Sequence, residues 1–365
     1  MTTRSQRAVV VDDSRFMREL IGDVLRDGGV RVVAEAADGH EAVAAVERHR
    51  PDVVTMDVEM PRMNGIEAVE RIMDSRPTPV LMLSAYTEDG ADVTFDALDR
   101  GAVDFFAKPG GEVSMGVSRL KEQLVEKVRS VATADLSRQT NRRPITTTAQ
   151  TARTGVRASR ATSAPSPTTA YVDNPTLVIG SSTGGPSAVE AVLRNLPLDA
   201  DFRVIVVQHM PDAFTGRFAD RLDGRSEYDV REATDGARIG GGEALVANGG
   251  TNLLVSHYNS GRLRVSLTDD DFDKGVQPSV DVTMSSVAKK VDDPLVGVVL
   301  TGMGSDGAEG IQALHRAGAY TVAESEESSV IFGMPKRAIA TGCIDAVHRL
   351  EDIAADVLDN VREEN

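Results

Sequence analysis

Apolar and polar positions in this chain alternate with two periods. Short apolar runs at Ala8–Val11, Val30–Ala36, Val53–Met56, Val80–Leu83 and Asp104–Phe106 read as strands. Between them, segments such as Arg15–Asp27 and Gly39–His49 carry apolar residues at helical spacing. The alternation resumes later, with strands at Thr176–Gly180, Arg203–Gln208 and Leu295–Thr301. Such βα alternation predicts parallel sheets with helices on both faces. The stretch Tyr228–Leu267 is less regular and rich in glycine. Within it, Asn259-Ser260-Gly261 predicts a hairpin turn joining Asn252–His257 to Arg262–Leu267.

Between the halves the pattern stops. From about Ser130 to Val172, Thr, Ser, Ala and Arg replace large apolar residues. Such a segment buries too little surface to offset its ordering entropy and reads as a flexible linker. It is basic, with Arg138, Arg142, Arg143, Arg153, Arg157 and Arg160 opposed by Asp135. The expected division is 1–129, 130–172 and 173–365, and a length of 365 residues fits two domains at roughly 150 residues each.

Charge narrows the function. A net charge of −16 argues against a duplex-binding surface, which needs basic residues against phosphate. Acidic residues spread along both halves suit either a solvated surface in high salt or simple acidic solubility. No apolar run reaches the roughly 18 residues of a membrane span. The polar start, Met1 to Arg7, has no signal-peptide core, so a cytoplasmic chain is expected. The single cysteine, Cys343, excludes an internal disulfide and reads as a small buried hydrophobe.

In the first half, Asp12 and Asp13 follow the first strand and Asp57 ends the third. Each alone reads equally well as a strand-end cap. Together, at the carboxyl ends of parallel strands, they converge on one crevice and need a cation; oxygen ligands of this kind suit Mg²⁺. Ser84 and Lys108, ending the fourth and fifth strands, would cradle phosphoryl oxygens.

With Val10-Val11-Asp12-Asp13-Ser14, Met56-Asp57-Val58-Glu59-Met60-Pro61-Arg62-Met63-Asn64-Gly65, Leu83-Ser84-Ala85 and Lys108-Pro109, the segment Ala8–Arg129 resembles a response-regulator receiver domain. The resemblance implies a flavodoxin-like fold with a parallel five-stranded sheet. It implies that Asp57 accepts phosphate from a partner histidine kinase. It also implies that Asp12, Asp13 and Asp57 hold Mg²⁺ with the Glu59 carbonyl, and that Ser84 and Phe105 form a switch pair.

In the second half, the strand Thr176–Gly180 runs into Gly180-Ser181-Ser182-Thr183-Gly184-Gly185-Pro186 and then an amphipathic helix. A phosphate-binding loop and a nucleophile elbow both use such turns. The glycine spacing departs from Gly-x-Gly-x-x-Gly, no P-loop lysine follows, and Gly180, Ser182 and Gly184 fit Gly-x-Ser-x-Gly. Ser181 is a neighbouring hydroxyl, but that register favours Ser182. Of six histidines, His40, His49, His315 and His348 fall in helical patterns and His257 in the glycine-rich stretch. His209 instead ends an apolar strand, beside Ser182 if the two strands are neighbours. Asp306, in Thr301-Gly302-Met303-Gly304-Ser305-Asp306-Gly307, is either the cap of the following helix or the group that orients His209.

These segments, with Gln208-His209-Met210-Pro211, Arg217-Phe218-Ala219, Pro278-Ser279-Val280-Asp281 and Val330-Ile331-Phe332-Gly333-Met334-Pro335, resemble the catalytic domain of chemotaxis protein-glutamate methylesterases, the CheB family, from about Pro175 onward. Ser181 stands where Ala is common and Ser305 where Asn is common. The resemblance implies a doubly wound, Rossmann-like α/β hydrolytic domain. It implies hydrolysis of glutamate methyl esters on methyl-accepting chemotaxis receptors, with methanol released, and deamidation of glutamines by the same acyl-enzyme route. Ser182, His209 and Asp306 would be the triad, Thr183 and Met303 the oxyanion donors, with no cofactor for catalysis. Rival readings are a receiver with a non-enzymatic output domain, or a nucleotide-binding domain. A further expectation is that the unphosphorylated receiver covers the hydrolytic crevice.

Overall fold

A computed structural model describes residues 5–84, 88–108, 117–136 and 170–363, with 88–92 and 117–119 as backbone alone. Ala85, Pro109 and most of the predicted linker lie outside the described residues.

The first unit runs β1 (Arg7–Val11), α1 (Arg15–Asp27), β2 (Arg31–Ala36), α2 (Gly39–His49), β3 (Val53–Asp57), α3 (Gly65–Ser75), β4 (Val80–Ser84), α4 (Glu88–Asp99), β5 (Asp104–Ala107) and α5 (Val117–Val131). Its sheet is parallel, in the order β2-β1-β3-β4-β5, as expected of a receiver. Strands β3 and β4 are buried at every position, which is why they read as continuous apolar runs. Helix starts follow from capping: the side chains of Ser14, Asp38 and Asn64 accept from backbone N–H groups one turn on. Helix α5 continues through fully buried Val131, and Tyr171 bridges Arg362, so structured residues reach into both ends of the span 130–172.

The second unit contains β6 (Thr176–Ser181), α6 (Gly185–Arg194), β7 (Arg203–Gln208), α7 (Asp212–Asp223), β8 (Asp229–Glu232), β9 (Arg238–Ile239), β10 (Glu243–Val246), β11 (Asn252–Asn259), β12 (Arg262–Thr268), α8 (Val280–Lys290), β13 (Leu295–Val299), α9 (Ala308–Arg316), β14 (Tyr320–Glu324), α10 (Met334–Ala340), β15 (Ala346–His348) and α11 (Leu350–Asn360). Seven strands form a parallel sheet in the order β15-β14-β13-β6-β7-β10-β8. The stretch expected to be irregular therefore splits: β8 and β10 extend the parallel sheet, while β9, β11 and β12 form a separate antiparallel one. The β11–β12 hairpin turns at Ser260 and Gly261, both at positive φ (49° and 78°), as a primed two-residue turn requires. From β6 the chain winds to one side through β7, then crosses back to β13 on the other. The switch point, where α/β sheets place ligands, therefore lies at the carboxyl end of β6.

Candidate functional sites

In the first unit, carboxylate oxygens of Asp12, Asp13 and Asp57 lie within 4.8 Å of one another. Lys108 Nζ sits 2.8 Å from Asp12 Oδ2 and 2.7 Å from Asp57 Oδ1. Val58 N–H donates to Asp57 Oδ1, and Lys108 N–H donates to the Ser84 carbonyl at 2.7 Å, tying the ends of β4 and β5 together. Burial raises the Asp57 carboxyl above its ordinary value, against the pull of the Lys108 ammonium. Burial opposes the charge on Lys108, yet its hydrogen bonds to Asp12 and Asp57 win and its value is raised. Asp12 Oδ2 is buried against the single Lys108 ammonium, and three clustered carboxylates repel. Both features fit a hard cation with oxygen ligands. Glu59 is exposed beside this cluster.

Phe105 does not lie loose at the surface: its ring stacks on Phe214 of α7, centroids 4.6 Å apart. Phe95 meets Phe105 edge-on and stacks on Phe218. Around these rings, Arg221 and Arg225 bridge Asp99 of α4 and Glu190 of α6 at 2.5–2.9 Å. The α4–β5 face of the first unit thus docks on α7 of the second. Neither the Phe95–Phe218 contact nor the arginine bridge was anticipated from sequence.

In the second unit the condition set on His209 is met. Strands β6 and β7 are parallel neighbours with Ser181 opposite Gln208, so Ser182 and His209 are the next residues along. His209 N–H donates to the Ser181 carbonyl at 3.0 Å. The β13–α9 loop closes from the other side, where Ser182 N–H donates to the Thr301 carbonyl. Asp306 Oδ2 meets His209 Nε2 at 2.8 Å. That leaves Nδ1 as the ring nitrogen available to a substrate or to Ser182, whose hydroxyl makes no hydrogen bond to the imidazole in this geometry.

Of the two sequence readings of Asp306, the helix cap does not hold, and the residue touches more than His209. Gly307, not Asp306, is the N-cap of the following helix α9. Asp306 instead accepts from Val280 N–H at 2.6 Å, Asp281 N–H at 3.0 Å and Ser279 Oγ at 2.9 Å, at the start of α8, while also holding His209. Burial works against its ionisation. The His209 bond and charge and the Asp281 and Val280 N–H groups outweigh this and hold its carboxyl at about 2. Asp281 in turn accepts from Gly307 N–H and Gly310 N–H, fixing the loop behind Asp306. Burial and the neighbouring Asp306 charge raise the Asp281 carboxyl.

The two adjacent serines differ sharply. Ser181 is fully buried and its hydroxyl donates to Gln208 Oε1 at 2.6 Å. Gln208 Nε2 holds the Ser182 carbonyl at 2.8 Å, and Ser182 keeps 7% of its surface exposed. Gly302 passes so close that a Cβ there would lie 2.8 Å from Ser182 Cβ. Among the described residues, neither Thr183 N–H nor Met303 N–H donates a backbone hydrogen bond. Gln208, Ser279 and Asp281 are supports that the sequence displayed inside its motifs without revealing their partners. Cys343 is only partly buried, and His257 is exposed on β11.

Comparison with known proteins gives the family of each unit. The response regulator receiver domain model matches residues 8–116, and the CheB methylesterase model matches residues 177–357. Proteins named protein-glutamate methylesterase/protein-glutamine glutaminase are similar along nearly the whole chain. That of Haloarcula marismortui is 60% identical over 362 residues, 98% of each chain. That of Bacillus subtilis is 42% identical over 372 residues, 98% of this chain and 99% of the other. The solved Thermotoga maritima CheB methylesterase catalytic domain is 37% identical, with a TM-score of 0.50, over 52% of this chain and 100% of that one. The chain belongs to the CheB methylesterase family, with a response-regulator receiver domain ahead of the methylesterase domain.

Proposed function

We propose that this chain hydrolyses glutamate methyl esters on chemotaxis receptors, releasing methanol, and that phosphorylation of Asp57 by a histidine kinase controls it. The observation that carries the reading is the meeting of three strand ends. Ser182 and His209 stand side by side after β6 and β7, and Asp306 reaches across from β13 to His209 Nε2 at 2.8 Å.

Ser182 Oγ attacks the ester carbonyl while His209 Nδ1 takes its proton. Asp306 holds Nε2–H and so selects the tautomer whose Nδ1 is free; it also stabilises the imidazolium that forms. The unbonded N–H groups of Thr183 and Met303 suit the developing oxyanion. His209 returns the proton to the leaving methoxide, then activates water to release the acid. A receptor glutamine would follow the same route with ammonia leaving.

In the receiver, Asp12, Asp13 and Asp57 with the Glu59 carbonyl would hold Mg²⁺, which neutralises phosphoryl charge when bound. Asp57 accepts the phosphoryl group, and Lys108 and Ser84 receive its oxygens. Unphosphorylated, the receiver limits access to the hydrolytic crevice. Supporting this, Val330 and Ile331, which flank the Ser182 turn, share one apolar cluster with the receiver's Leu81 and Leu83, and Phe106 and Met303 pack against it. The division into receiver, tether and hydrolase at 1–129, 130–172 and 173–365 belongs to this proposal.

Methanol release from a methylated receptor fragment tests the reading. The intact chain should release methanol, faster with a small phosphodonor and Mg²⁺, and the Ser182→Ala chain should not. Equal release by both chains would refute it.

A further inference from the structure

On the face of the methylesterase domain behind α8 lies a cavity of about 460 Å³ that the hydrolytic mechanism does not use. Leu254, Val255 and Val282 supply apolar wall. Its charged lining is Lys274, Lys289 and Lys290, three of only seven lysines in a chain of net charge −16, with the carboxylates of Asp281 and Glu309. Lys274 is engaged, 3.3 Å from Asp281 and 2.5 Å from Glu309. Lys289 and Lys290 are exposed in the last turn of α8 and pair with no carboxylate among the described residues.

A second observation concerns the mouth of this cavity. Residues Asp271–Lys274 form a tight turn closed by Lys274 N–H to the Asp271 carbonyl at 2.9 Å. Its two central residues, Phe272 and Asp273, have φ of 49° and 58°. That left-handed region favours glycine and asparagine, and a bulky residue there is strained. The turn nonetheless holds Phe272, 42% exposed, against the cavity. An exposed aromatic in a strained backbone points to a role that packing alone does not supply.

We propose that this cavity binds a small organic dianion with an apolar body, such as an aromatic phosphate monoester. The apolar wall and Phe272 take the body, and the two unpaired ammonium groups take the charge. The inference does not depend on the esterase reading, because its test reads binding alone. The site still touches the catalytic machinery: Lys274 holds Asp281, and Asp281 holds the Gly307 and Gly310 N–H groups next to Asp306.

Titration calorimetry of the intact chain with phenyl phosphate, inorganic phosphate and phenol, at matched ionic strength, tests the site. Phenyl phosphate should bind saturably at one site, at least about tenfold tighter than either fragment, because both halves of the cavity engage it. Lys289→Ala/Lys290→Ala should weaken it about tenfold or more with an unchanged thermal midpoint, since both side chains are exposed. Phe272→Gly separates binding from folding, because glycine suits the turn: the midpoint should hold or rise while phenyl phosphate binding weakens. Non-saturable heats, or binding unchanged in both variants, would overturn the proposal. So would a double variant that slows receptor demethylation while phenyl phosphate fails to bind the parent chain, since the lysines would then serve receptor docking.

Discussion

Phe105, on β5 of the receiver sheet, stacks on Phe214 of the methylesterase domain with centroids 4.6 Å apart and planes 25° from parallel. Phe214 lies in the first turn of α7, five residues after His209. The residue expected to report phosphorylation therefore presses on the helix that follows His209. Such a pair contributes about 0.5–1.5 kcal/mol beyond its burial. Phe105→Ala should raise the turnover of the unphosphorylated chain roughly 2- to 12-fold and reduce the further stimulation by phosphodonor. Methanol release before and after phosphodonor addition measures both. An unphosphorylated rate equal to that of the parent would show that this contact does not hold the crevice closed.

The arginine bridge makes a prediction of its own. Arg221 and Glu190 are nearly buried, whereas Asp99 and Arg225 are partly exposed. Asp99→Ala removes the receiver's contribution but leaves both arginines their bond to Glu190. Basal turnover should rise by a modest factor, about 2- to 5-fold, as the loss of partly exposed pairs implies. The increment should shrink as salt rises and screens the pair. A rate series in rising salt, parent against variant, shows whether the two curves converge.

Much of both sites was readable because parallel strands end in chemistry. Asp12, Asp57, Ser84, Ser182 and His209 each terminate an apolar run, and such ends meet at one edge of a sheet. Strand order was not readable, so the adjacency of Ser182 and His209 remained conditional until β6 and β7 were seen to pair. The double duty of Asp306 was hidden for the same reason: its partners lie 25–97 positions away, at the start of α8 and just after β7. The domain interface left no periodic signal either. Phe95 and Phe218 look like ordinary core positions of their helices, and Asp99 and Arg221, 122 residues apart, look like solvated charges. The strained turn at Phe272 carries no Asn-Gly signature that would have announced it.

The catalytic assignment predicts graded losses. His209→Ala should remove nearly all esterase activity. Asp306→Asn should leave the fold but release the imidazole tautomer, a change that costs about 10⁴-fold in a comparable triad. Ser181→Ala loses one buried hydrogen bond, about 1 kcal/mol of stability, and should keep most activity. Steady-state rates on one receptor substrate, with thermal midpoints alongside, rank the variants; an inactive but folded Ser181→Ala chain would reverse the register.

Gly302 is required by close approach. A side chain there meets Ser182 Cβ and the sulfur of Met334. Gly302→Ala should lower stability by about 1–3 kcal/mol and depress turnover by more than that destabilisation explains, because Ser182 itself is displaced. Denaturant unfolding and rate measurement at a temperature where the variant is folded separate the two effects.

Asp306 also sets a pH dependence. Its carboxyl is held at about 2 in the folded chain, below the ordinary value of about 3.9. A lowered carboxylate stabilises the fold above its unfolded value and loses that contribution as pH falls towards the folded one. The parent should therefore lose stability relative to Asp306→Asn between about pH 4 and pH 2. Parallel unfolding curves for the two chains across that interval would contradict the assigned ionisation.

Which hydroxyl is the nucleophile decides the mechanism, and covalent labelling addresses it most directly. The intact, phosphodonor-treated chain is reacted with a fluorophosphonate, digested, and the adduct located by mass spectrometry. One adduct is expected, on Ser182, absent from the Ser182→Ala and His209→Ala chains and retained in Ser181→Ala. An adduct on Ser181 or elsewhere, or methanol release from a chain whose Ser182 stays unmodified, would contradict it.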